Sequence, residues 1–377
     1  ERHMFLVETQ KRKTPNKMHT SSTAGPISQA EMKHTVNRKK GTTPGNDKLH
    51  LNFLKAATDD TLAVFRLLCS FAIITNKPYE SWKTEIYCPT PKTNPPDVDR
   101  LRPLKLLQVL RKITSSIVID RIQAKTRIEG TISEEAYGFV KGKKITTAAL
   151  VRRLVCEHAM REKKDAYIMD VDLSKAYDKT LRWVLDCAML RVGIEKSTRE
   201  YFLNLARTNR NFIRTAYGLT DEFHAEAAAL PQGDTASPFL FVLVTDWLIS
   251  IAKADSKHPY SYNNEQDTTD ITQTWFADDS SWFQSDKKGI DHLAQLIQDF
   301  ADFTGMEMNT TKSFVIGIEW DEHGARKNTT YDPIEVISRS NALQQRTTEN
   351  VEEPEMREAK KWSVATKEKK YIPWKQA

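Results

Sequence analysis

Hydrophobic residues along the 377-residue chain follow two different spacings. Residues 51–74 and 106–122 place apolar side chains at three- and four-residue steps, which predicts amphipathic helices. Residues 82–89 instead alternate between apolar and polar positions and lead into a run of prolines, which predicts a short strand and a loop. The first half of the chain is therefore expected to be mainly helical, with a small strand region.

The second half of the chain predicts a sheet with helices beside it. Strands are expected at residues 166–172, on both sides of Asp278, and as a pair at residues 212–216 and 223–228. Helices are expected at residues 183–191, 197–209 and 290–304 and after Pro238. This order is typical of an α+β fold. We expect an antiparallel sheet with helices on one face.

The two ends of the chain differ in composition from its centre. Residues 1–40 are rich in Lys, Thr and Ser and predict a basic, flexible arm. Within this arm, Ser28 and Glu31 have the spacing of a capping box, which predicts the start of a short helix. Residues 321–377 are charged and poor in apolar periodicity, and they predict a linker.

Composition limits the class of protein. A hydrophobic content of 39% with 28% charged residues suits a globular protein, and a net charge of +6 does not by itself indicate a nucleic-acid partner. The most apolar stretch, residues 239–252, is shorter than a membrane span and contains Asp246, so it predicts a buried helix rather than a membrane contact. The four cysteines form no CxxC pair, and no secretory signal opens the chain, which favours a reducing, intracellular location.

Aspartates follow two of the predicted strands. Asp170 and Asp172 end the first strand on one face, and Asp278 and Asp279 lie between the two strands of the next pair. Clustered carboxylates repel each other unless cations join them, and two Mg²⁺ ions held this way can promote a phosphoryl displacement. The alternative for the Asp278–Asp279 pair alone is an ordinary turn, in which aspartate is common.

Several ordered motifs resemble those of reverse transcriptases of the non-LTR retrotransposon (LINE-like) and group II intron class, and the resemblance covers residues 26–318. The motifs are Thr-Pro-Gly-Asn-Asp at 43–47, Arg-Pro-Leu-Lys-Leu-Leu at 102–107, Tyr-Gly-Phe at 137–139, the Asp172 motif at 172–178, Gln-Gly-Asp-Thr-Ala-Ser-Pro at 232–238, Phe-Ala-Asp-Asp at 276–279, and Gly-Met-Glu-Met-Asn at 305–309 with Lys312. Each motif alone is weak, but their order and spacing identify the family.

The resemblance implies the fingers and palm of a right-hand polymerase, without a thumb. Fingers are expected at residues 41–165, and a palm carrying the catalytic carboxylates at residues 166–320. The implied activity is RNA-directed DNA polymerisation by a retroelement or a domesticated relative, with two Mg²⁺ ions, for which Mn²⁺ could substitute. The implied partners are an RNA template, a DNA or RNA primer and dNTPs. The location would be nuclear if the source is a eukaryotic retroelement.

The resemblance also implies catalytic and metal-binding roles. Asp172 and Asp278 would bind both metal ions, Asp279 would be the third carboxylate, and the Leu173 carbonyl would complete the nucleotide-bound ion. Lys312 matches a residue proposed to protonate the pyrophosphate leaving group, a role that needs a positioned donor. A plain surface lysine is the alternative there. Asp170 is expected to have a structural or solvent-facing role.

Nucleotide and template contacts follow in the same way. Tyr177 would be the steric gate that selects dNTPs, and it disfavours an RNA-directed RNA polymerase. Lys92 and Arg102 would neutralise the triphosphate, with Arg100 as the competing position. Gln232 and Gly233 would lie at the templating pair. Lys141, Lys143 and Lys144 would contact the template backbone, although the family more often has arginine and serine there.

A second class of function remains open on the sequence alone. The chain could be a polymerase fold that has lost catalysis and serves as an RNA- or protein-binding scaffold. The presence of Asp172, Asp278 and Asp279 together favours an active enzyme, because a scaffold has no need of all three. Oligomeric state is not predicted.

Overall fold

The computed structural model describes residues 22–41, 43–92, 94, 101–174, 176–207, 209–223, 229–263 and 267–331, with side chains as far as Arg326. These residues form two compact units. The first unit comprises the described residues of 22–143 and 176–247, and the second comprises those of 144–174 and 248–331. Arg100, residues 1–21, residues 224–228 of a predicted strand, and residues 332–377 of the predicted linker lie outside the described residues.

The helices follow the predicted periodicity in most places. They are α1 (Gln29–Arg38), α2 (Leu51–Ala56), α3 (Asp59–Ile74), α4 (Val109–Glu129), α5 (Ile145–Glu162), α6 (Ala176–Lys179), α7 (Arg182–Arg191), α8 (Lys196–Leu205), α9 (Ser237–Asp255) and α10 (Lys287–Thr304), with a short 3₁₀ turn at Glu80–Lys83. The predicted helix at 51–74 is split, because Thr58 caps α3 by accepting a hydrogen bond from the Thr61 backbone.

The strands are β1 (Thr84–Pro91), β2 (Leu101–Leu106), β3 (Ala166–Asp172), β4 (Arg210–Thr215), β5 (Gly218–Leu219), β6 (Tyr260–Asn263), β7 (Thr268–Ile271), β8 (Gln273–Phe276), β9 (Asp279–Gln284), β10 (Phe314–Trp320) and β11 (Arg326–Tyr331). The first unit holds a sheet of order β2-β1-β4-β5, in which β1 and β4 are parallel. The second unit holds the antiparallel sheet β11-β10-β3-β9-β8 and the β6-β7 hairpin.

The five-stranded sheet is buried on both faces. On one face, Ile168 and Phe283 belong to a core cluster with Val155 of α5. Met169 and Trp282, a pair of strand partners on the opposite face, are fully buried as well, and α10 packs against β3 and β9. The expectation of helices on one face is therefore wrong. A continuous apolar run such as that of β3 is typical of a strand buried on both sides.

Ordered structure continues past Trp320, where the sequence predicted a linker. Asp321 accepts hydrogen bonds from the backbones of His323 and Ala325, and Gly324 has a φ of +72°. This turn lets β11 return along β10. The missed strand thus depends on a turn built by one aspartate and one glycine.

Helix α9 is long and apolar enough to span a membrane by length and composition alone. However, 78% of its apolar window is buried within the protein, so it is a core helix by burial, as predicted. Asp246 lies fully buried in this helix and forms an ion pair with Arg191 of α7. Its other carboxylate oxygen accepts a hydrogen bond from the Ser133 backbone at 2.7 Å. The charge in the apolar run is therefore compensated.

Removing the cation from this pair should strongly destabilise the first unit. In Arg191→Met, the Asp246 carboxylate would stay buried without its counter-charge, and such a loss costs about 3–5 kcal/mol. We expect a correspondingly lower urea midpoint. The double variant Arg191→Met with Asp246→Leu should recover part of this loss, because no lone charge remains. A single variant as stable as the parent would contradict the interpretation.

Glu31 connects α1 to α4 through a two-pronged contact. Arg121 donates to both of its carboxylate oxygens, at 2.7 and 2.9 Å, and the Ser28 backbone donates as well. These contacts, first of all the Arg121 hydrogen bond, lower the pKa of Glu31 from 4.5 to about 2. The capping box predicted from the sequence is present.

The low pKa of Glu31 predicts how stability depends on pH. Because the folded-state pKa lies below the unfolded one, the stabilisation is complete above about pH 4.5 and is lost as pH falls towards 2. Glu31→Gln should cost about 1 kcal/mol at pH 7, since the pair is partly exposed. Thermal unfolding from pH 7 to pH 3 should show the variant and the parent converging. A difference in stability between variant and parent that stays constant with pH would contradict this prediction.

Candidate active site

Three aspartates meet at one end of the five-stranded sheet. Strand β3 ends at Asp172, β9 begins at Asp279, and the two residues are direct partners across the strands. Strands β8 and β9 are joined by a two-residue turn, Ala277 and Asp278, because Phe276 pairs with Asp279. The sequence prediction that these carboxylates come together is thus reproduced in the arrangement of the strands.

The turn between β8 and β9 has an unusual backbone. Ala277 has a φ of +61°, in the left-handed region that residues with a β-carbon rarely adopt. Such a conformation costs on the order of 1–3 kcal/mol and is concentrated at functional sites. It is compatible with the tight turn that a two-residue hairpin loop requires.

A turn after α10 holds the end of β3. The Asn309 side chain donates to Asp172 Oδ2 at 2.7 Å, and its backbone N–H donates to the Asp172 carbonyl at 2.8 Å. Lys312 Nζ lies 3.6 Å from the same carboxylate oxygen. Leu173 is buried and forms an isolated bridge with Met308. The motif at residues 305–309 therefore fixes the strand that carries Asp172.

Electrostatic repulsion is concentrated on Asp279. Partial burial raises the pKa of its carboxyl, and the neighbouring charges of Asp278 and Asp172 raise it further, against the opposing effect of Lys312. The three carboxylates repel one another, and divalent cations bound between them would relieve this repulsion. Oxygen donors are the ligands that Mg²⁺ prefers. By charge and donor chemistry, these residues fit the predicted ions.

The side chains are not gathered into a ready coordination shell. Within the described ranges, no three His, Cys, Asp or Glu side chains lie in a metal-ligating arrangement. Asp172 is instead turned towards Asn309 and Lys312. The Asp172 carboxylate is thus occupied by contacts within the chain.

Asp172 and Asp279 border a cleft of about 330 Å³ in the second unit. Its walls come from the first turns of α5, from β3, β8 and β9, and from Lys312 and Phe314. Asp170 also reaches this cleft, but it is bound to Arg152 at 2.7 Å and accepts a hydrogen bond from the Ser281 hydroxyl. These contacts agree with the structural role expected for Asp170.

The Gln232–Gly233 motif forms a turn in the first unit that is fixed by backbone contacts. The Lys105 N–H donates to the Gln232 carbonyl at 2.7 Å, and the Gln232 side chain donates to Asp178 at 3.3 Å. Gly233 has a φ of +122°, and a β-carbon there would lie 2.4 Å from the Lys105 carbonyl oxygen. Glycine is required at this position.

A buried ion network under this turn was missed by sequence reasoning. Arg111 donates to Asp234 at 3.1 Å and to Glu85 at 3.2 Å, and Lys105 is bound to Glu85 at 2.8 Å. These charged side chains are at most 5% exposed. The partners come from distant parts of the chain, so no local pattern announces them.

The predicted nucleotide-binding residues of the first unit occupy two places. The Tyr177 ring stacks on Phe241, with 5.0 Å between ring centroids and 28° between planes. Lys92 and Arg102 are both exposed. They lie near the end of the β1-β2 hairpin at which residues 92–100 connect the strands, and Arg102 pairs with Thr90 there. An exposed arginine and lysine at such a tip suit contact with phosphate groups.

The three lysines predicted to contact the template are not equivalent. Lys143 donates to the carbonyls of Ser133 and Glu134, and its ammonium lies over the Tyr137 ring. Burial lowers the pKa of Lys143. Lys141 and Lys144 are exposed. In this structure Lys143 holds its own loop closed, and the prediction of a template contact applies better to the other two.

The fold and this set of residues agree with a match to a known family. A model of the family described as reverse transcriptase (RNA-dependent DNA polymerase) matches residues 90–347, which is more than half of the chain. The chain therefore belongs to the reverse transcriptase family.

The curated relatives come from non-LTR retroelements, which confirms the resemblance predicted from the motifs. The chain is 24% identical over 218 residues to the Pol polyprotein from type-2 retrotransposable element R2DM of Drosophila melanogaster, covering 58% of this chain and 20% of that protein. It is 22% identical over 285 residues to the RNA-directed DNA polymerase from mobile element jockey of Drosophila melanogaster, covering 71% and 29%. The chain thus spans less than a third of these relatives.

Two further similarities are more limited. The Pol polyprotein from type-1 retrotransposable element R2 of Popillia japonica is 22% identical over 218 residues, covering 58% of this chain and 29% of that protein. A structure of apo telomerase from Candida tropicalis, truncated from the C-terminal domain, has a TM-score of 0.43 and 10% identity, covering 74% and 64% of the two chains. That structural likeness is too low for any conclusion about this chain.

Proposed function

We propose that this chain is the fingers and palm of an RNA-directed DNA polymerase, which adds dNTPs to the 3′-hydroxyl of a primer annealed to an RNA template. The observation that carries the proposal is the placement of Asp172 directly opposite Asp279, with Asp278 in the strained turn beside them. Membership in the reverse transcriptase family supports the same activity.

Asp172, Asp278 and Asp279 would hold two Mg²⁺ ions, with Mn²⁺ as a possible substitute and the Leu173 carbonyl as a further ligand. When bound, such ions stabilise the attacking and leaving oxygens of a phosphoryl displacement. The contribution of this chain is to bring the three carboxylates to one sheet end and to hold β3 there through Asn309. Lys312, whose Nζ lies 3.6 Å from an Asp172 carboxylate oxygen, would donate a proton to the pyrophosphate leaving group.

The first unit would supply nucleotide and template contacts. The Gln232–Gly233 turn offers a backbone surface with no side chain at Gly233, which allows close approach of a base pair. Tyr177, held by its stacking on Phe241, would exclude a 2′-hydroxyl. Arg102 and Lys92 would bind the triphosphate, Arg102 as a fork and Lys92 as a point charge. Lys141 of this unit, and Lys144 of the second unit, would contact the template backbone.

A specific observation favours the alternative of a scaffold that binds RNA or protein without catalysis. The Asp172 carboxylate accepts a hydrogen bond from the Asn309 side chain and lies 3.6 Å from Lys312 Nζ, so contacts within the chain already occupy it. The same contacts are compatible with a metal site that assembles only when ions and substrate bind. The two functions therefore make different predictions for primer extension.

The test is extension of a DNA primer on an RNA template in Mg²⁺ by the parent chain and by Asp278→Ala, with dNTPs compared with rNTPs. Deoxynucleotide addition by the parent, its loss in the variant, and poor use of rNTPs are expected. Binding of the same RNA is measured in parallel. RNA binding by both proteins with no extension by either would reject the polymerase and support the scaffold.

A further inference from the structure

A second cleft, of about 580 Å³, lies within the first unit and is rich in lysine. It is formed by the end of α1, by β2, by the start of α4 and by the turn that contains Gly233. The residues that matter here are Lys39, Lys40, Thr43, Lys105, Lys112 and Gly233. We call this cleft the lysine groove. None of the roles predicted from the motifs includes Lys39, Lys40 or Lys112.

The positive charge of the lysine groove is incompletely balanced. Lys105 is paired with Glu85, and the Lys112 ammonium reaches the Thr43 carbonyl at 3.4 Å. Lys39 is partly buried where the chain leaves α1, and its ammonium makes no ion pair or side-chain hydrogen bond within the part of the chain that the structure describes. Lys40 beside it is exposed. The groove therefore presents a desolvated cation to a ligand.

The charged groups around Lys39 leave it short of negative charge. The pKa of Lys39 is lowered to about 8, first of all by burial and also by the positive charges of Arg38 and Lys112, against the opposing effect of Asp234 and Asp120. Those two carboxylates are already committed, Asp234 to Arg111 and Asp120 to Arg38. A phosphate in the groove would supply the missing counter-charge and keep Lys39 protonated.

We propose that the lysine groove binds the phosphodiester backbone of a nucleic-acid strand beside Gly233, with Lys39 as its principal phosphate-binding residue. The inference rests on the proposed function, because it places a strand next to the turn assigned to the templating pair. Leu104 and Val109 line the same cleft and give apolar surface for the sugars. Lysine suits a single phosphate as a compact point charge.

The test measures binding of a fluorescein-labelled single-stranded RNA by anisotropy, without dNTPs or divalent ions. Lys39→Ala should weaken binding about tenfold, the loss of one charge-assisted hydrogen bond, and should reduce the slope of log affinity against log salt by about 0.7. Lys33→Ala is the matched control, since Lys33 lies on α1, the helix that ends just before Lys39, and is paired with Asp59 at the surface. It should bind like the parent.

A pH series separates this role from a structural one. Between pH 7 and 9, RNA affinity of the parent should fall as Lys39 loses its proton, whereas Lys39→Arg should keep its affinity because arginine stays charged. Unchanged affinity and salt slope in a folded Lys39→Ala would overturn the proposal, as would a pH dependence that persists in Lys39→Arg. Displacement of the RNA by millimolar dNTP that depends on Lys39 would instead assign the groove to nucleotide phosphates and overturn strand binding.

The binding readout is independent of catalysis. Asp278→Ala should lose extension but keep the Lys39-dependent affinity. If the parent never extends a primer, the proposed polymerase activity is wrong, whereas strand binding by the lysine groove is still supported by the binding data. If the parent extends primers and Lys39→Ala binds RNA normally, only the proposal of strand binding by the lysine groove is rejected.

Discussion

Replacing Asp172 with alanine is expected to lower the rate of deoxynucleotide addition by at least about 10²–10³-fold, with little change in RNA affinity. Asp172 is the carboxylate at the end of the central strand, directly opposite Asp279, and Asn309 and Lys312 both contact it. Its removal takes one negative charge from the proposed metal site. That charge would act in the transition state, so its loss should lower the rate and leave RNA affinity nearly unchanged. The measurement is single-turnover extension of a primer on an RNA template.

A nearby carboxylate provides the matched control for this loss. Asp170 lies two residues earlier on the same strand face, but it is bound to Arg152 and to Ser281. Asp170→Asn keeps a hydrogen-bond acceptor for Ser281 and should retain most of the activity. Equal losses in the two variants would show that the strand, and not the metal site, was damaged. Normal extension by Asp172→Ala would remove the basis for the proposed chemistry.

The strands that carry the carboxylates were predictable because their pattern is local. Strand β3 begins and ends at the predicted residues, and the turn at Asp278 lies between two strands as expected. Alternation along the strand placed Asp170 and Asp172 on one face, and the turn between the next two strands predicted that one of them would lie beside Asp278 and Asp279. The choice of one face for the helices was wrong. The apolar run at residues 166–169 was itself a signal of burial on both faces, because a strand that is buried on one face alternates apolar and polar residues.

Helix α5 was not predicted, and its packing explains why. Leu150 and Leu154 of this helix are 52% and 38% exposed, while Val155 and Ala159 are fully buried. An amphipathic helix is recognised because its apolar residues repeat on one face. In α5 apolar residues lie on both the exposed and the core side, so this repeat is not evident in the sequence. The end of α4 was also predicted too early in the chain. The helix continues to Glu129, and Gly130 ends it with a φ of +61°.

The contacts that support the Gly233 turn in the first unit and the Asp172 strand in the second could not be read from the sequence. Arg111 and Asp234 are 123 positions apart, and Asn309 and Asp172 are 137 apart. Such pairs are set by the tertiary fold and leave no local spacing. The contacts of Lys143 could not be predicted for the same reason, since its carbonyl partners become neighbours only when the loop at 133–143 closes. Motif resemblance located the residues, and the fold determined their partners.

Gly233→Ala is expected to abolish most primer extension and to destabilise the first unit. The new β-carbon would lie 2.4 Å from the Lys105 carbonyl oxygen, a distance that forces the turn away from β2. The hydrogen bond from Lys105 to Gln232 would be strained or lost, and with it the position of the proposed templating surface. The φ of +122° adds strain for any residue with a side chain.

Gly218 separates the two causes, because its backbone is nearly the same and its surroundings are open. It has a φ of +124°, and an added β-carbon would meet nothing within 4 Å. Gly218→Ala should therefore show only the backbone strain, about 1–2 kcal/mol, and should extend primers like the parent. Urea unfolding and the KM for dNTP are measured on both variants. If Gly233→Ala matched Gly218→Ala in both, the close approach to Lys105 would have no part in nucleotide addition, and the templating role of this turn would have to be given up.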